Sequence, residues 1–313
     1  MNCVKTILAS LAICGGVCFS MGVSEAAWPE KPVTIISHSA PGAINDLIMR
    51  QVAALLTEEL GQPFLVTNMP GGGGNMAINS LLQEKADGYT LCSTGPHPFG
   101  YNVFTMKVRY SPEDIAPISM TNNSCMAIIA RPDAGWKTVR DAYLAAKAEN
   151  RPLKVAVMDN MARDIFTKIG EKEGVKVAPV PQKGGMPCLS AVLGGHVDIG
   201  MVGSIAVENT KAGKIVTLAS ASDKRFAAMP DVPTLREQGY DFAQNSFTTI
   251  FAAKGVPQEI IDALSNAMIK ISKTDTYKAM LDKLSIEAAP MGKEAMAEAI
   301  RKEYESMKLL TGK

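Results

Sequence analysis

From Trp28 onward the chain alternates short β-rich runs with helical stretches, and no other feature limits its possible folds as strongly. Val33 to Ser37 reads as a strand. Asn45 to Leu60 reads as a helix with Ile48, Val52, Leu55 and Leu56 on one apolar stripe, stopped by Gly61 and Pro63. A strand at Phe64 to Thr67, a glycine loop, a helix at Met76 to Glu84 and a strand at Tyr89 to Ser93 follow. The rhythm restarts at Leu153 with a strand to Met158, a helix over Arg163 to Glu173, and strands at Val177 to Val180, Val197 to Met201 and Ile215 to Ala219. Strands separated by helices of about 10–15 residues predict parallel sheets in a doubly wound α/β fold. After a loop-rich stretch, Phe247 to Ala253 is strand-like, and three helices close the chain, the first opened by Pro257 at a first-turn position. No flexible linker divides the two α/β units. We therefore expect two lobes joined by crossings near Ala127–Ala130 and Phe247–Phe251, with residues 28–127 and 248–313 forming one lobe and 128–247 the other.

The first 27 residues differ from the rest. Lys5 supplies a positive start, Ile7 to Phe19 is apolar, and Ser24-Glu25-Ala26 offers small residues at the −3 and −1 positions of a cleavage site near Ala26. The apolar run is shorter than the roughly 20 residues needed to span a bilayer and contains Gly15-Gly16, so export to the periplasm with cleavage is expected over a membrane anchor. That removes Cys3, Cys14 and Cys18. Cys92, Cys125 and Cys188 remain, with no C-x-x-C pair, and whether any two of them form a disulfide is left open.

Chemistry is sparse. A formal net charge of +1 gives no electrostatic footprint for nucleic acid. His38, His97 and His196 are the three histidines, none paired at i+4 with another, so no helical H-E-x-x-H metal motif exists. No G-x-S-x-G nucleophile elbow occurs, and the glycines at 71–74 lead into Asn75-Met76 where a phosphate loop needs lysine and a hydroxyl. No cofactor, no metal and no catalytic residue is expected. The informative segment is Pro41-Gly42-Ala43-Ile44-Asn45-Asp46, between a strand and a helix. Asn45 is expected to cap that helix, whose N-terminus aims unpaired N–H groups outward and holds a carboxylate without any lysine. The same spacing also fits an ordinary strand–helix turn that binds nothing.

Trp28-Pro29-Glu30-Lys31-Pro32-Val33, Ala40-Pro41-Gly42, Asn45-Asp46, Leu60-Gly61-Gln62-Pro63 and Asn68-Met69-Pro70-Gly71 stand in a recognisable order. So do Asp87-Gly88-Tyr89-Thr90-Leu91, Gly194-Gly195-His196-Val197-Asp198, Lys211-Ala212-Gly213-Lys214 and Pro230-Asp231-Val232-Pro233-Thr234-Leu235. Together these blocks resemble the tripartite tricarboxylate transporter receptors, the Bug-type periplasmic solute-binding proteins. The resemblance implies a two-lobed, type II periplasmic-binding-protein fold with the ligand in the interlobe cleft. It also implies a small organic acid as ligand, delivery to membrane permease subunits, and a monomer that is not an enzyme. It places ligand contacts at Pro41 to Asp46, at Ser93, Thr94 and His97, and in the second lobe at Asp159, Asn160 and Arg163, and Lys183 is a further candidate beside them. Ile44, Asn45, Asp159, Asn160, Arg163 and Gln182 depart from the family's usual small residues, threonine or tyrosine. Arg163 or Lys183 is expected to pair with a second ligand carboxylate; Asp159 either meets an amine or pairs with Arg163 at i+4. Two rival classes remain: a ligand-sensing module that signals to a membrane partner, and an exported α/β hydrolase.

Overall fold

A computed structural model describes residues 28–124, 126–289 and 291–312. The expected leader and Cys125 lie outside them. The strands are β1 (Val33–Ser37), β2 (Phe64–Asn68), β3 (Thr90–Ser93), β4 (Ile115–Ser124), β5 (Ala127–Ala130), β6 (Leu153–Val157), β7 (Val177–Pro181), β8 (Ile199–Val202), β9 (Val216–Ser220), β10 (Ser246–Ala253) and β11 (Glu287–Ala288). The helices are α1 (Ile44–Leu60), α2 (Asn75–Leu81), α3 (Tyr101–Thr105), α4 (Val139–Ala148), α5 (Asn160–Glu173), α6 (Gly185–Leu193), α7 (Ile205–Lys211), α8 (Gln258–Ile271), α9 (Asp275–Lys283) and α10 (Lys293–Thr311).

Two separate sheets result, and they are the cores of the two lobes. The first runs β11-β4-β10-β3-β1-β2 and the second β7-β6-β8-β5-β9. In the first, β1 pairs in parallel with β2 and β3. In the second, β6 pairs in parallel with β7 and β8. Each sheet also carries antiparallel strands contributed by the returning chain, β4 and β10 in the first and β5 in the second. Both segments expected to cross between lobes are therefore strands inside a sheet. The crossings themselves lie just before β5 and just before β10, because a strand's ladder hydrogen bonds are satisfied only within its own sheet.

The two-residue period of the strands explains the layering. Ile35 packs into a core with Ile48, Val52, Leu56 and Leu264 under α1 and α8. Its neighbour Ile36 points to the opposite face, into a core with Ile78, Phe99, Phe251 and Met296 under α2 and α10. In the second lobe Ile128 joins Val155, Ile165 and Phe166, while Ile129 joins Ala156, Leu189 and Val207. Strands buried on both faces need continuous apolar runs, which these are. Tyr101, Met307 and Leu310 reach from the first lobe into the apolar cluster of the second, so the lobes touch directly. Among the described residues no helix is long and apolar enough to cross a membrane.

Candidate functional site

The parallel strands β1 and β3 end at Ser37 and Ser93, and β10 enters beside them, with the Thr249 N–H and hydroxyl both donating to the Thr94 carbonyl at 2.8 Å. The loop from His38 to Ala43 then lifts into α1. Sequence reasoning gives the cap to Asn45; the structure gives it to Ala43, whose backbone is extended and which has no oxygen to offer. No side chain caps α1, so the Ile44 and Asn45 N–H groups of its first turn remain open to an anion. Asn45 instead accepts a hydrogen bond from the Thr248 hydroxyl at 3.1 Å, which ties α1 to β10.

Asp46 has a different task from the ligand contact expected of it. Its side chain is buried, and its oxygens accept from the Gly42 N–H at 2.9 Å, the Arg50 guanidinium at 3.0 Å and the Asn68 amide at 2.7 Å. Burial alone would push this carboxyl up. The Asn68 and Gly42 donors and Arg50 outweigh it and hold the carboxyl below its ordinary range. Asp46 thus clamps the Gly42 turn, where a positive φ of 78° suits glycine, and leaves Pro41 to Ile44 exposed at the rim.

The neighbouring loop is packed more tightly. Ser93 and Thr94 are buried, and the Thr94 hydroxyl donates to the Gly95 carbonyl at 3.0 Å, so these two shape the floor from within. His38 donates from Nδ1 to the Ser93 carbonyl at 3.2 Å. Burial lowers its pKa, with His97 adding to the effect, so the ring is neutral and presents Nε2 as an acceptor.

The second lobe brings the loop after the carboxyl end of β6 to this floor. Asp159 caps α5 through the Ala162 N–H at 2.8 Å. Its other oxygen accepts from the Gln244 amide at 2.9 Å and lies 3.8 Å from His97 Nε2, on the first lobe. Arg163 does not pair with Asp159; its guanidinium holds Asp164 at 2.9 Å, because Asp159 is turned inward by its capping bond. Asp164 in turn accepts from the Tyr101 hydroxyl at 2.6 Å, a hydrogen bond between the lobes. Burial, then the Asp164 charge, raises the Tyr101 pKa and keeps it a donor. Asn160 and Lys183 are exposed. Tyr101, Asp164, Gln244 and Thr248 carried no sequence signal, since each acquires its place only through a partner at least 60 residues away.

Two hollows, of about 380 and 320 Å³, lie elsewhere, at the β11 side of the lobes around Phe226 and Glu287. None of the expected ligand-binding residues lines either. We favour the junction of the strand ends as the site, because open helix N–H groups and unpartnered polar atoms converge there. Cys92 and Cys188 are free and buried, and burial, with Asp159 second, pushes the Cys188 thiol up to about 12. Among the described residues no group of three or more His, Cys, Asp or Glu side chains is placed to hold a metal.

Residues 48–312 match the family model described as tripartite tricarboxylate transporter family receptor. The chain belongs to that family. Its members are substrate-binding receptors of transporters, not enzymes. Among curated relatives, BugT of Bordetella pertussis is 29% identical over 276 residues, 85% of this chain and 83% of the relative. A solute-binding protein of the family from Polaromonas, solved without ligand, shares 27% identity with a TM-score of 0.79 over 91% of this chain and 99% of its own. MatC from Rhodopseudomonas palustris, solved with bound malate, shares the fold at 24% identity and a TM-score of 0.75, over 91% of this chain and 100% of its own.

Proposed function

We propose that this receptor is exported, sheds its leader near Ala26, and as a periplasmic monomer captures a small organic carboxylate for the permease subunits of a tripartite tricarboxylate-type transporter. The observation that carries the reading is the uncapped N-terminus of α1, set just past the end of β1 in the first sheet. A helix N-terminus carries about half a positive charge and four N–H groups without intrahelical partners, so it holds a carboxylate with no lysine whose ammonium would have to be desolvated at each closure. Family membership and the malate seen in MatC support an organic acid.

Pro41 to Asn45 would contact the anion from the first lobe, Asp46 would hold their loop, and His97, Asp159 and Asn160 would complete the cleft. Lys183 is exposed, and Arg163, spent on Asp164, has no free charge for a second carboxylate. In this reading residues 28–127 with 248–313 move against 128–247. Ligand bridging the lobes stabilises the closed arrangement by its differential affinity, and the permease recognises that arrangement.

A thermal-shift screen over organic acids tests the proposal, since ligand at 100 times its dissociation constant stabilises by about 2.7 kcal/mol. X-ray scattering should then show compaction with the best hit. A protein that no organic acid stabilises, or that binds one without compaction, is not this receptor.

A further inference from the structure

We infer that the anion this cleft holds carries an ammonium group beside its carboxylate, so that the ligand is an amino acid and not a plain or hydroxylated acid. The inference rests on the carboxylate-receptor reading above and adds the class of its ligand. Its basis is the polar knot formed by Asp159, Gln244 and His97 where the lobes meet.

Gln244 is only 2% exposed. A carboxylate accepts and never donates, so the amide nitrogen of Gln244 must face Asp159, and the 2.9 Å bond fixes the orientation of the head group. That leaves the Gln244 Oε1 buried with no donor. His97 Nε2 is likewise buried without a hydrogen-bond partner, 3.8 Å from the same carboxylate. Buried polar atoms are nearly always partnered, and two orphans on one spot mark a place completed by something else.

Charge selects what completes it. Asp159 keeps unused lone pairs, its side chain is about one-third exposed, and among the described residues no Lys or Arg forms an ion pair with it. Arg163, the nearest candidate by sequence, is committed to Asp164. His38, also at the floor, is held neutral by burial. The knot thus offers an anionic acceptor and a neutral acceptor, the Gln244 oxygen, within one side chain of each other. A second ligand carboxylate would be repelled here. A hydroxyl would serve one acceptor and leave the charge unmatched. An ammonium matches the charge and has donors for both.

The test uses matched sets of acids differing at one position: succinate, malate and aspartate; glutarate, 2-hydroxyglutarate and glutamate; propionate, lactate and alanine; with further sets of longer and aromatic acids. Calorimetric titration of the mature protein should find the strongest binder among the ammonium members, at least about tenfold tighter than its matched partners. A plain or hydroxylated acid as strongest binder overturns the inference and leaves the receptor reading standing. Binding by no acid of any kind overturns both. In Asp159→Asn the isosteric amide oxygen still caps α5, so the fold is retained, and the preference for the ammonium member should fall about 10- to 100-fold while its matched partners change little. An equal loss across a matched set would make Asp159 a scaffold residue and overturn the inference.

Discussion

Glu303, on α10, is 1% exposed, and neither of its carboxylate oxygens has a hydrogen-bond partner. The side chain is wedged against Gly100, where an added Cβ would stand 3.0 Å from its Cγ, and it faces Asn245 and Asp223 at the crossing between lobes. Burial pushes its carboxyl from 4.5 up to about 8, with the Asp223 charge adding to the rise and the Asn245 side chain opposing it. At about 1.4 kcal/mol per unit this shift corresponds to as much as about 5 kcal/mol, a large share of the stability of an ordinary domain. Above pH 4.5 the unfolded chain releases this proton while the native protein keeps it. The stability tied to the proton is thus whole below pH 4.5 and is lost as pH climbs through about 8. Glu303→Gln is neutral at every pH and removes that dependence. Urea unfolding of both proteins at pH 5 and pH 8 should show the advantage of the variant growing by about 3 to 4 kcal/mol between the two. Profiles that stay parallel would mean that Glu303 is hydrated or partnered in solution, and the reasoning would fail.

Asp46→Asn should destabilise by about 1–3 kcal/mol at neutral pH. Because the native carboxyl sits below 3.8, the advantage of the wild type should vanish as pH falls through that lowered value; urea titrations at pH 7 and pH 3 check both. Tyr101→Phe removes the hydrogen bond to Asp164 between the lobes, and scattering of the unliganded protein should show a larger radius of gyration than the wild type. Arg163→Ala should leave the affinity for the best ligand of the organic-acid screen within about threefold, since its guanidinium is occupied by Asp164. Cys92 and Cys188 should resist thiol labelling in the native protein and both react after denaturation without reductant, because each is free and buried; a Cys92–Cys188 bridge found by mass spectrometry would contradict this.

What the sequence made legible followed local rules. The stripe Ile48, Val52, Leu55 and Leu56 marks α1 because a helix must bury one face, and Gly61 ends it with a φ of 75°. Cap placement was misread because Asn45 is a better capping residue than Ala43 by propensity. The tie from Thr248, more than 200 residues away in sequence, engages the Asn45 side chain inside the first turn instead. Pro257, expected in the first turn, stands one residue ahead of it, at the N-cap of α8. The short helices α3 and α4 and the ten-residue β4 went unread. β4 alternates apolar with Ser, Thr and Asn because it is shared between α10, α8 and the crossing, a mixture that matches no single template. Of the site, the first-lobe loop was visible as a strand–helix junction, whereas Gln244 and Tyr101 had no local pattern to give them away.

The way this molecule pairs its charges bears on why so neutral a chain suits the capture and release of an anion. On the outside, charges are paired at little energetic consequence, as Arg225 with Glu237 and Arg301 with Glu298 and Glu305. Near the candidate loops Arg50 and Arg163 are likewise each neutralised by a carboxylate of their own lobe, whereas the first-turn N–H groups of α1 have no side-chain cap. A free arginine there would grip any acid and would have to be desolvated at each closure. Helix N–H groups are fixed by the fold itself, so closure asks no charged side chain to reorganise, and the selectivity left to side chains falls on the few that remain unsatisfied. Beside Asp159 those are Gln244 and His97. Changing that trio should therefore alter which acid is bound more than whether one is bound.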